Sequence, residues 1–211
     1  MVDGQVIEVQ PRDAGIREVR NLAGEPRDTL VFQAAPIVRS APAPDHTGPG
    51  ALRLSGALSR AALIAGALLG MAELTIDYTN DRQEFGGPVA RFPAVQALLV
   101  RCAEEAALVD LAVQVASAAL TDSAGDFEMV AAKIVAGEAA TSATRAAHQA
   151  HGAVGMTQEY RLHQLSRRLW SWRSEYGNRS WSHRLGRAVV AHGVDALYDV
   201  IADGSASGIS L

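Results

Sequence analysis

Three long stretches, Ser55 to Tyr78, Phe92 to Leu120 and Asp126 to His151, carry alanine-rich helical patterning, and the residues that part them are few and rich in glycine and polar side chains. Long helices joined by short turns make an antiparallel bundle the default architecture. In the first stretch, leucine, isoleucine and methionine at positions 58, 63, 64, 68, 69, 71, 74 and 76 fall on more than one face, the pattern of a helix buried from several sides. Its longest nearly uncharged run, Ala61 to Ala72, falls short of the roughly 20 residues needed to cross a bilayer, so no membrane span is expected. A shorter helix is expected from about Arg161 and another from about Arg179 to Ala202.

Residues 1–40 are of another kind. Val6, Ile7 and Val9, then Thr29-Leu30-Val31-Phe32, then Ile37-Val38 are short β-branched or aromatic runs separated by Pro11, Gly15, Gly24-Glu25-Pro26 and Pro36, which predicts two or three short strands. So short a β segment does not stand alone; it must pair with something else or pack on the helices. Residues 41–52, with prolines, glycines and no hydrophobic period, read as a linker. Residues 53–203 then form the bundle and 204–211 a flexible tail. The expected fold class is mainly α, an antiparallel helical bundle preceded by a short β segment.

A net charge of -4 supplies no basic field for a phosphate backbone, which disfavours general nucleic-acid binding. The lone Cys102 excludes an internal disulfide framework, and the first residues lack the basic and apolar regions of a secretory signal, so a cytoplasmic location is expected. Lys133 is the one lysine among 19 basic residues, a bias read as that of a GC-rich coding sequence and given no functional weight.

The breaks between helices hold the chemistry. Arg82-Gln83-Glu84-Phe85-Gly86-Gly87-Pro88 follows the first helix, Phe92-Pro93-Ala94-Val95-Gln96 opens the second, and Gln149-Ala150-His151-Gly152-Ala153-Val154-Gly155 through Glu159-Tyr160 closes the third. A turn arginine can clamp a phosphate through two parallel hydrogen bonds, although an arginine at a helix C-terminus also simply complements the macrodipole. A helix ending in glycine exposes backbone to close approach, and Gln149 offers both donor and acceptor; the plainer reading is a glycine C-cap.

In this order and at this separation, from about Val19 to about Gly186, the segments resemble the C-terminal helical domain of the acyl-CoA dehydrogenases, with Asn21 to Pro26 similar to the end of the family's middle β domain. The resemblance implies FAD as cofactor and α,β-dehydrogenation of an acyl-CoA thioester. It implies that Arg82 reaches the flavin pyrophosphate across a subunit interface, with Phe85 in the same turn. Gln149, Gly152 and Ala153 match positions that touch the adenosine diphosphate part, and Gln96 one near the adenine. Ala153 stands where the motif has its second glycine. Without the remainder of the family's domains, the chain is expected to work as a homo- or hetero-oligomer with a flavin-holding subunit.

The reaction needs a carboxylate whose pKa is raised by desolvation, so that it accepts the α-proton near neutral pH. By the resemblance, Tyr176 occupies the usual base position, Glu175 lies one residue off as a candidate catalytic group, and Ser59 fills the alternative position on the first helix. Glu175 reads equally as a solvated acid beside Arg173 and Arg179. His148 and His151, three apart, lack the further ligands a zinc site requires and read as helix-end histidines. Trp170, Trp172 and Trp181 read as core or interface anchors, with an acyl-pocket wall as the alternative. Two functions stand beside a catalytic flavoprotein component: a non-catalytic structural subunit of such an enzyme, and a helical binding module unrelated to flavins.

Overall fold

The computed structural model describes residues 4–44, 48–121 and 126–193. Four strands come first: β1 (Gln5–Val9), β2 (Ala14–Arg17), β3 (Thr29–Phe32) and β4 (Ile37–Pro42). There follow α1 (Pro49–Asp81), β5 (Gln83–Glu84), β6 (Gly87–Pro88), α2 (Pro93–Ala118), α3 (Asp126–His151), α4 (Leu162–Ser174) and α5 (Arg179–His192).

β1 pairs antiparallel with β4, from Gln5 opposite Pro42 to Val9 opposite Ile37, and β2 pairs antiparallel with β3, from Ala14 opposite Phe32 to Arg17 opposite Thr29. β2 is a strand that patterning misses: Ala14-Gly15-Ile16-Arg17 holds a single β-branched residue, and pairing with β3 rather than propensity makes it extended. The stretch expected to be a linker, 41–52, is divided between elements, since Pro42 closes an edge strand and Pro49 opens α1. Proline at the first helical position loses no hydrogen bond, so it starts this helix rather than preventing it.

The small residues of α3 set the packing. Ala132, Ala136, Gly137, Ala139, Ala140, Ala143 and Ala147 are buried along it and let neighbouring helices approach closely. α1, α2 and α3 pack on one another, α4 packs on α1 and α3, and α5 on α3. Ile64, Leu68, Met71, Val109, Val130, Leu162 and Leu169 fill the core between them. Each fully buried aliphatic side chain stabilises by about 1.5–3 kcal/mol relative to exposure.

By length and composition the whole of α1 does reach membrane-spanning values, with a mean hydropathy of 1.5 over its most apolar window, a correction to the expectation drawn from Ala61 to Ala72 alone. Part of that apolarity is met by protein, with Leu54, Leu58, Ile64, Leu68 and Met71 buried against the other helices, while Leu63, Leu69 and Ile76 stay exposed. α2 is apolar on several sides, and Val100, Leu108, Leu111 and Val115 stay exposed on it.

α1 and α3 finish at the same end of the bundle, where the Tyr78 hydroxyl donates to the His151 carbonyl at 3.3 Å. α2 starts at that end, because only the β5–β6 hairpin and one turn of 3-10 helix separate it from α1. The expected continuation of the last helix to Ala202 and the tail at 204–211 lie outside the described residues.

Candidate functional site

At this end of the bundle the backbone turns twice through left-handed conformation. Arg82 leaves α1 with its N–H still donating to the Tyr78 carbonyl at 2.9 Å. The hairpin then closes through Phe85 (φ 50°) and Gly86 (φ 84°), two consecutive positive φ values that match the twist of a two-residue hairpin. Glycine takes that conformation freely, whereas a phenylalanine there is strained. Phe85 is also 87% exposed, with its ring edge-on to Phe92 at 6.1 Å.

Arg82 is half exposed and its Nη2 donates to Glu84 Oε1 at 2.5 Å, leaving its other guanidinium nitrogens without a partner among the described residues. Exposed pairs of this kind contribute about 1 kcal/mol or less, so an incoming phosphate would compete easily with Glu84. Gln96, in the first turn of α2, is exposed, as is Gln149 in the last turn of α3. Gln149 and Leu98 share a groove of about 540 Å³ between α2 and α3, which places the starts and ends of these helices side by side.

Gly152 has φ 61° and a Cβ built there would meet nothing within 4 Å, so open space lies over it and the glycine serves the backbone turn. Ala153 is exposed beside it, so the methyl that replaces the motif's second glycine stands at the surface. Arg82, Phe85, Gln96, Gln149, Gly152 and Ala153 are thus gathered at one end and all reachable. The Arg82 guanidinium, the Gln149 amide and the backbone at Gly152 all face open space at this end.

Glu175 lies in a different surrounding from the one its neighbours in sequence suggest. Its carboxylate takes Arg27 Nε at 2.8 Å, Arg27 Nη2 at 3.1 Å, Arg60 Nε at 2.5 Å and Asn21 Nδ2 at 3.1 Å. Arg173 instead donates to Thr141 Oγ1 at 2.6 Å and lies over the Trp170 ring at 4.5 Å. Burial would by itself raise the Glu175 pKa, but hydrogen bonds from Arg27, Asn21 and Arg60 more than offset it and hold the carboxyl below its ordinary value. A general base for an α-proton needs the opposite displacement. The geometry makes Glu175 an anchor between the β segment and the bundle.

Three further bonds secure the same junction: Ala23 N–H to Ser171 Oγ at 3.1 Å, Arg167 Nε to the Leu22 carbonyl at 2.8 Å, and Trp172 Nε1 to Glu25 Oε2 at 2.9 Å. Trp172 is therefore an anchor between segments. Trp181 is buried too, donating to the Tyr176 carbonyl at 2.7 Å with Arg53 and Arg184 over its ring at 5.2 and 5.0 Å.

Tyr176 has φ 56°, and its ring packs so closely on Gly56 that a Cβ there would come within 2.2 Å of it. Arg60 lies over the same ring at 5.6 Å. Ser59 bonds back to the Ser55 carbonyl at 2.8 Å, so neither base position found by resemblance presents a carboxylate.

Lys133, given no weight in the sequence, is fully buried and donates to the carbonyls of Trp172 and Arg173 at 3.2 and 2.8 Å. It caps the C-terminal end of α4 just before Glu175. Burial lowers its pKa to about 8, against the attraction of Glu175. Among the described residues no group of three or more histidine, cysteine and acidic side chains is placed to hold a metal.

The family model described as "Acyl-CoA dehydrogenase, C-terminal domain" matches residues 54–179. A 3-sulfinopropanoyl-CoA desulfinase of Paraburkholderia xenovorans is 35% identical over 107 residues, covering 51% of this chain and 28% of that protein. A probable acyl-CoA dehydrogenase of Bacillus subtilis is 35% identical over 116 residues, covering 53% of this chain and 30% of that one. In the ChsE4-ChsE5 complex of Mycobacterium tuberculosis a chain superposes with a TM-score of 0.75 at 20% identity, covering 84% of this chain and 49% of that chain. The match thus spans about half the length of the solved chain and under a third of the two curated relatives.

Proposed function

The chain belongs to the acyl-CoA dehydrogenase family, and we propose that it completes an FAD site shared with a flavin-holding chain, in an assembly that dehydrogenates an acyl-CoA thioester between its α and β carbons. The observation that carries this reading is the gathering of Arg82, Gln149 and Gly152, each exposed, at one end of the bundle. Arg82 would pair with a phosphate and Gln149 with a polar group of the nucleotide, while Gly152 and Ala153 let it approach the backbone. Gln96 would bond at the adenine end, and the exposed Phe85 ring would cover an apolar part. Bound FAD supplies the hydride acceptor of the reaction.

In this reading the α-proton goes to a base that the chain itself does not supply, because Glu175 is held by two arginines and Tyr176 fills the matching position. A two-chain organisation of the kind named for the Mycobacterium tuberculosis structure suits such a division. Purified chain given FAD, an acyl-CoA and an electron-accepting dye should show no turnover, and turnover should appear on assembly with a flavin-holding chain. Robust dehydrogenation by the isolated chain would overturn the proposal.

A second reading, a structural subunit that supports a catalytic partner, is favoured by the packing of Tyr176 on Gly56 where the family places its base. The two part on one result. Flavin that depends on Arg82 supports the first, and an active complex whose flavin content ignores Arg82 supports the second.

A further inference from the structure

We infer that the Tyr78–His151 stack is the positioning element that holds the two ligand-facing turns in register, with His151 as its key residue; the inference rests on the shared flavin site proposed above. Arg82 and Gln149 sit on helices that are distant in sequence, and a clamp on one ligand needs their turns fixed relative to each other. A continuous chain of contacts does this. The Arg82 N–H bonds the Tyr78 carbonyl at 2.9 Å, the Tyr78 ring lies on the His151 ring at 4.4 Å and 17°, and the Tyr78 hydroxyl donates to the His151 carbonyl at 3.3 Å. His151 immediately precedes Gly152.

Tyr160 completes the cluster, 5.0 Å from His151 and 5.5 Å from Tyr78 between ring centres, so the chain leaving the turn is held by the same rings. His151 is 3% exposed, with Nδ1 2.8 Å from the Ala147 carbonyl and a buried Nε2 that has no hydrogen-bond partner among the described residues. The flat ring offers what an aliphatic side chain does not, a face on which the Tyr78 ring stacks.

The test is amide hydrogen exchange on the full chain. His151→Ala should speed exchange roughly tenfold, the scale of one aromatic pair, both at residues 152–157 and across the gap at 82–89. Leu169→Ala, a core change on α4, should instead speed exchange throughout the bundle. His151→Phe keeps a stacking ring and should restore slow exchange at 82–89, and Tyr78→Ala combined with His151→Ala should add little to either change alone. Acceleration confined to 152–157, or no rescue by phenylalanine, would overturn the inference. FAD titration of the same variants in the partner complex separates the two claims: a wild type that takes no FAD defeats the shared-site reading and leaves the exchange result standing.

Discussion

Arg60 reaches from the middle of α1 to Glu175 at 2.5 Å while its guanidinium lies 5.6 Å over the Tyr176 ring. One residue thereby ties down Tyr176, the usual base position by resemblance, and the neighbouring Glu175, whose carboxylate becomes structural.

Removing that acid should therefore loosen the fold and not the chemistry. Glu175→Ala leaves Arg27 and Arg60 partly buried without their shared partner, and a cost of about 2–3 kcal/mol is expected after allowance for partial solvent screening. Chemical denaturation at neutral pH measures it. The folded pKa of Glu175 is lowered, so its contribution is present above the ordinary carboxylate value of 4.5 and is lost as pH falls through the folded value. The gap between wild type and variant should close in acid.

Gly56 and Tyr176 give a second test. Gly56→Ala should destabilise by about 1–3 kcal/mol, because its new methyl meets the ring, and Tyr176→Ala in the same chain should recover most of the loss. Thermal melts of the four proteins give the coupling. Additive losses would mean that the ring does not rest on Gly56.

Lys133 should show itself at alkaline pH. Its folded pKa of about 8 lies below the ordinary 10.5, so the unfolded chain binds the extra proton between these values and stability rises with pH across that window. The rise should amount to about 3 kcal/mol and should be missing in Lys133→Met, which also loses two bonds to the end of α4. Equal slopes for the two proteins would place the lysine in water.

The long helices are legible in the sequence because their signal is local. Asp126 to His151 is bounded in the structure as its pattern suggests, and α1 extends six residues further back only because Pro49, by pattern a breaker, opens the helix instead. The positions of Arg82, Phe85, Gln96 and Gln149 are legible as motifs, while their convergence at one end needs the antiparallel packing. The surroundings of Glu175 are not legible at all. Its sequence neighbours Arg173 and Arg179 suggest a solvated acid, whereas its partners lie 148 and 115 positions away. Lys133 is hidden for a related reason, since its burial and its carbonyl partners on α4 arise from tertiary packing that no local period records.

Flavin absorbance of the complex formed with a flavin-holding chain tests the central claim most directly. Each of Arg82→Ala and Gln149→Ala should lower FAD affinity by roughly tenfold to a hundredfold, the range expected when one charge-assisted or polar hydrogen bond is removed, with the complex still assembled. Undiminished FAD affinity in the double variant would show that these turns do not face the cofactor.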